Sequence, residues 1–367
     1  MDRTKQYIIP ACFIILPFIV FLASTLPGAK IPSIHISHHY AFTILGLIVS
    51  ITLIKNEWLS AFAVYCALWT GFVLAYIAKF PIVPMVIAQM AFNAMMYVFI
   101  SIIIFSAVTR SKLHNETFYN YICVSALIGA ALGILQRVGI DPVLWILNYC
   151  WMRTESLSTI DSRAMTGLFG NNNFLAAYLA ISLPFFFRCK WYYGLIAVVP
   201  VLYFCKTTSA MIPAIVGACF FFYPILSIKW RVVSVLGAVS AGTLYAFFDH
   251  SPIHTNPRWS DWWFALDQIR FNIYTLIFGM GPGSGWGKTY PMHNEWLQCF
   301  HQYGAIGLSM MIGFVVTVCR RNRIIFTAFL IAAINMFGNY SLHLSPSAFL
   351  IILIAGLLER ERITANG

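Results

Sequence analysis

The chain has 367 residues, of which 60% are hydrophobic and 10% charged, whereas a soluble domain carries about 25% charged residues. The shortage of charge runs the whole length, so no soluble domain of ordinary composition fits between the apolar runs. The formal net charge of +11 would suggest nucleic acid in a soluble protein. Here the basic residues sit mostly in short loops and form no basic face interleaved with aromatics, which excludes a nucleic-acid partner and indicates membrane topology.

In chain order, the apolar runs predict spanning helices at Tyr7–Leu26, Tyr40–Ile54, Trp58–Ala78, Ile82–Val108, Phe118–Val138 and Phe174–Phe187. They continue at Trp191–Cys205, Ser209–Leu226, Val232–Phe248, Trp296–Cys319, Ile324–Tyr340 and Pro346–Leu358. Several are shorter than the roughly 20 apolar residues that a span needs, so extension into polar flanks or local thinning of the bilayer is expected. The first run is long enough to span and is followed by no small-x-small cleavage site, so it is expected to be retained. The expected fold is all-α: one polytopic membrane bundle over residues 1–367, with about twelve transmembrane helices.

Placing the N-terminus in the cytoplasm and alternating tests that count. The inner loops then hold Arg3, Lys5, Lys55, Arg110, Lys112, Arg188, Lys190, Lys229, Arg231, Arg320, Arg321, Arg323, Arg360 and Arg362, fourteen of the 23 basic residues. Both termini therefore read as cytoplasmic. Two outer segments, Gly139–Asn173 and Asp249–Asn294, are too long to be mere connections. In the second, Trp259, Trp262, Trp263, Leu266, Ile269 and Ile273 recur at helical spacing with Asp261, Asp267 and Arg270 between them, the pattern of an amphipathic helix on the membrane surface.

Four segments carry candidate chemistry. Near Arg163 a glycine- and asparagine-rich turn runs through Asn171, Asn172 and Asn173 into a span. Such a helix start can hold an anion on its N–H groups, with arginine gripping phosphate; asparagine capping of a flexible turn is the plainer reading. Lys206-Thr207-Thr208-Ser209 is a tight polar turn, and Lys206 serves either an anion or simply snorkels. Arg258 opens the amphipathic stretch, where it either meets substrate or pairs with Asp261 at i, i+3. The glycine-rich tail at Gly279–Thr289 is not a P-loop, because Pro282 stands where the pattern needs glycine and no strand precedes it. Finally, Asn294 can cap a helix with Glu295 in its first turn, and His293 stands just before that cap at the outer boundary. A histidine there can accept a proton near neutral pH, or only bond backbone.

The nine cysteines include no Cys-x-x-Cys pair and read as small buried hydrophobes. His250, His254, His301 and His343 lack ligand spacing, so no metal or cofactor is expected. Gln89, Asn93, Asn335 and Asn339 are expected to hydrogen-bond between helices.

In order and spacing these segments resemble the O-antigen ligase and polymerase superfamily of bacterial envelope enzymes. The resemblance rests on the run from Arg163 to Tyr178, the turn Thr207-Thr208-Ser209-Ala210, and Arg258 with Trp262 and Gly279 to Gly283. It closes with His293 to Gln298 and Gly304 to Leu308. It covers Arg163 to Leu308, and departs from the family pattern at Ala210, where an arginine is usual, and at Gln302, where an acid is common. It implies a metal-independent, inverting glycosyltransferase of the inner membrane with a periplasmic active site. The donor would be a glycan on undecaprenyl diphosphate. The acceptor would be the lipid A core in a ligase, or another lipid-linked glycan in a polymerase. His293 would be the base; Arg163, Arg258 and Lys206 would hold the donor, with Asn173 and Asn294 beside them. A lipid-linked sugar transporter and an inactive scaffold of the same fold are the competing expectations. Against the transporter stands the lack of similarity between the two halves of the chain.

Overall fold

The structure is a computed structural model and describes residues 104–106, 108–111, 113–142, 165–167, 171–222, 257–270, 272–280, 294–318, 323–336 and 345–366. The expected spans at Tyr7–Leu26, Tyr40–Ile54, Trp58–Ala78 and Val232–Phe248, and most of that at Ile82–Val108, lie outside the described residues.

The described residues form helices and no strand. They are α1 (Asn115–Arg137), α2 (Asn172–Arg188), α3 (Tyr192–Phe204), α4 (Thr208–Phe222), α5 (Pro257–Arg270), α6 (Ile273–Phe278), α7 (Glu295–Val318), α8 (Arg323–Asn335) and α9 (Ser345–Asn366). Seven of these fall on seven of the expected spans; α9 runs eight residues past the expected end at Leu358. By length and apolarity only α1 is clearly able to cross a membrane; α3, α4 and α8 are apolar but shorter.

Helix α2 is the central post. It packs against α1, α3, α4, α8 and α9, and Leu175 to Ile181, with Phe185 and Phe186, are fully or almost fully buried. A helix that is apolar all round is stable only when enclosed. Helix α3 is more apolar still, yet Tyr193 is 87% and Ile196 72% exposed. Its outward face is a continuous apolar surface of the kind that water disfavours.

The hydrogen bonds and ion pairs at the helix termini fall into two groups, so the described bundle has two distinct ends. At the charged end the Arg188 guanidinium pairs with Glu116, Asn115 donates to Glu361 at 3.0 Å, and Arg323 lies over the Phe221 ring. Burial there lowers the pKa of the Arg360 guanidinium. The opposite end is held mainly by amides and hydroxyls.

Two expectations are corrected. The run Trp296–Cys319 is not one straight helix: α7 contains a break at Gly304, where φ is 66°. The amphipathic stretch Trp259–Ile273 is also divided, because Asn272 caps a second helix by accepting from the Tyr274 N–H at 2.9 Å. Its faces differ as well. Asp261, Ala265 and Ile269 form the buried stripe, while Trp263 points outward and is 63% exposed.

Candidate functional site

The site is built at the amide end, beginning with the start of α2. Asn171 has an extended backbone and its side chain accepts from the Asn173 N–H at 2.8 Å. That satisfies one of the donors that a helix start leaves open. Asn172 accepts from the same N–H at 3.0 Å and also reaches sideways, donating to the Cys205 carbonyl at 3.1 Å. Asn173 accepts the Thr207 hydroxyl at 2.9 Å. Of the three consecutive asparagines, Asn171 and Asn172 share the capping of the Asn173 N–H, and Asn172 and Asn173 join α2 to the turn between α3 and α4.

That turn is left-handed at Lys206, with φ 51°. The conformation costs a residue with a Cβ about 1 kcal/mol, and it leaves the Lys206 side chain exposed while Cys205 and Thr207 are buried. On the far side of the turn the Ser209 carbonyl accepts from Asn335 of α8 at 2.6 Å. This is the interhelical bond expected of Asn335. Gln89, Asn93 and Asn339 lie outside the described residues.

The end of α8 then meets the start of α7. The Glu295 N–H donates to the Met336 carbonyl at 2.9 Å, and the Trp296 indole donates to the Ala333 carbonyl at 3.0 Å. Asn294 caps α7 as expected, accepting from the Leu297 N–H at 3.0 Å. The described polar residues on this stretch, Asn294, Glu295, Gln298, His301 and Gln302, are all buried.

A buried glutamine holds the chain just after Arg163. Gln136, 1% exposed, accepts from the N–H groups of Thr166 and Gly167 at 2.9 and 2.7 Å. Its amide donates back to the Gly167 carbonyl at 3.1 Å. The Met165 carbonyl also accepts from the Cys205 thiol at 3.7 Å. The residues two to four positions after Arg163 are thus held by Gln136 and, through Met165, beside the Lys206 turn.

Of the expected site residues, Lys206, Asn173 and Asn294 come together at this end. Arg163 and His293 lie outside the described residues, although the chain next to each is placed here by Met165 and by Asn294. Arg258 occupies the first turn of α5. That helix reaches α7 through Gln268, whose amide oxygen is 2.9 Å from His301 Nε2.

Sequence reasoning passed over Gln136 and took His301 for a scattered histidine. A lone glutamine closing an apolar helix was the available signal for the first; nothing local distinguished the second. Among known proteins no family model matches the chain, and no curated protein matches it.

Proposed function

We propose that the chain is an inverting glycosyltransferase of the O-antigen ligase type, a twelve-span protein of the bacterial inner membrane whose amide end faces the periplasm. The observation that carries this reading is the convergence of three segments distant in sequence. Asn171–Asn173, Lys206–Thr207 and Asn294–Glu295 meet through the Asn173–Thr207, Ser209–Asn335 and Met336–Glu295 hydrogen bonds. These are the segments on which the family resemblance rests.

In this reading His293 accepts the proton of the acceptor hydroxyl as its oxygen attacks the anomeric carbon. The bond from that carbon to the diphosphate oxygen breaks, and undecaprenyl diphosphate leaves with the electron pair. Configuration inverts in the single step. Arg163, Arg258 and Lys206 offset the charge developing on the leaving group. The acceptor is the lipid A core for a ligase; a polymerase would use a second lipid-linked glycan.

Reconstituted with a lipid-linked glycan and an acceptor in the presence of chelator, the full chain should form a new glycosidic bond. His293→Ala should lower that rate by about 10²–10⁴-fold, the usual contribution of a positioned base, with insertion and expression retained. Undiminished transfer in the variant would remove His293 from the mechanism. Movement of lipid across vesicles without a new bond would favour a transporter. In cells lacking the protein, long polymer left on undecaprenyl diphosphate means ligase, and single repeats on the core mean polymerase.

A further inference from the structure

His301 lies about two helical turns beyond Asn294 and is 1% exposed. It is held at two points. Its ring Nε2 stands 2.9 Å from Gln268 Oε1 in the last turn of α5. An amide oxygen only accepts, so Nε2 carries the proton of that bond. Its backbone carbonyl accepts the Met280 N–H at 2.7 Å. In an unbroken helix such a carbonyl serves the N–H four residues on; beside the break at Gly304 it takes one from outside the helix.

The second contact depends on two glycines. Gly279 and Gly304 have φ of 80° and 66°. A Cβ on Gly279 would overlap the Gln302 carbonyl, and one on Gly304 would overlap that of Ile277. The chain leaving α6 therefore lies directly on the backbone of α7. Through ring and carbonyl, His301 fastens the end of α5 and the end of α6 to the helix that Asn294 begins.

We propose that His301 is a positioning residue, a clamp that fixes the helix carrying Arg258 relative to the helix start beside His293. The inference rests on the transferase reading above. Arg258 is ten residues from Gln268, about 15 Å of helix, so a small tilt at the clamp displaces the arginine by a larger distance. The donor's grip, rather than the proton transfer, is what the clamp governs.

The test uses the full-length protein in vesicles with a lipid-linked glycan donor. His301→Ala should raise the donor KM about tenfold, the upper worth of one neutral hydrogen bond, and leave kcat within about threefold. Gln268→Ala should do the same, and the double variant should be no worse than either single one, because both remove one interaction. His301→Gln restores an N–H donor and should recover much of the affinity. Hydrogen exchange should quicken at the Gln268 end of α5 in His301→Ala and stay unchanged in α1 to α4. A fall in kcat at constant KM, additive losses, or unchanged exchange would overturn the clamp while leaving the enzyme reading intact. A wild-type chain that forms no glycosidic bond would instead overturn the enzyme reading, and this role with it.

Discussion

Lys190 and Lys206 close the two ends of α3 in the same way. Each follows a cysteine that ends a helix, each is left-handed, with φ of 59° and 51°, and each is exposed. Their surroundings differ. Around Lys190 the helix ends are tied by charge, through Arg188 with Glu116 and Glu361 with Asn115. Around Lys206 the ties are neutral, from Asn172, Asn173, Thr207, Gln136 and Asn335. The ties near Lys190 use carboxylates, those of Glu116 and Glu361. In the proposed transferase, the Lys206 turn on its frame of amides and hydroxyls would meet the donor diphosphate, while the similar turn at Lys190 would not.

The largest expected effect on this comparison comes from removing a neutral tie. Gln136→Leu keeps the volume but leaves the Thr166 and Gly167 N–H groups without their acceptor, at about 1–3 kcal/mol for a buried group. The matching change at the charged end, Arg188→Gln, breaks a pair whose side chains are 49% and 51% exposed, and should cost less than about 1 kcal/mol. Thermal unfolding in lipid nanodiscs compares them. Equal shifts would mean that the two ends are not built differently.

A smaller and more specific effect is expected from the lysines. Glycine accepts the left-handed turn without strain, so Lys206→Gly and Lys190→Gly remove charge and preserve the fold. Lys206→Gly should raise the donor KM about tenfold, as for one charge-assisted hydrogen bond, and Lys190→Gly should leave it unchanged. Equal donor KM values for the two variants would dissolve the distinction between the ends.

Much of this arrangement is legible in the sequence. Seven apolar runs become helices at the expected places, because a long apolar run must bury or leave water. Less legible is anything that depends on which face meets which. The Trp-rich spacing of α5 identifies an apolar face, yet the stripe that packs on protein runs through Asp261, Ala265 and Ile269. A glycine inside an apolar run does not announce a break, so Gly304 reads as part of a span. Gln136 acts on a turn about thirty residues away, and His301 acts across a similar separation on Gln268. Neither link has a local signature. The convergence of Asn173, Lys206 and Asn294 was suggested by motif order alone, and its means, the bonds through Thr207 and Asn335, needed the fold.

The central claim is that the amide end faces the outside, where a lipid-linked glycan is presented. Sidedness of the two matched turns tests it most directly. Lys206→Cys and Lys190→Cys are each exposed to an impermeant maleimide in intact spheroplasts, with the unsubstituted chain and its nine cysteines as the baseline. Lys206→Cys should label from outside, and Lys190→Cys only after permeabilisation. Labelling of both from the same side, or of Lys190→Cys alone from outside, would contradict the account.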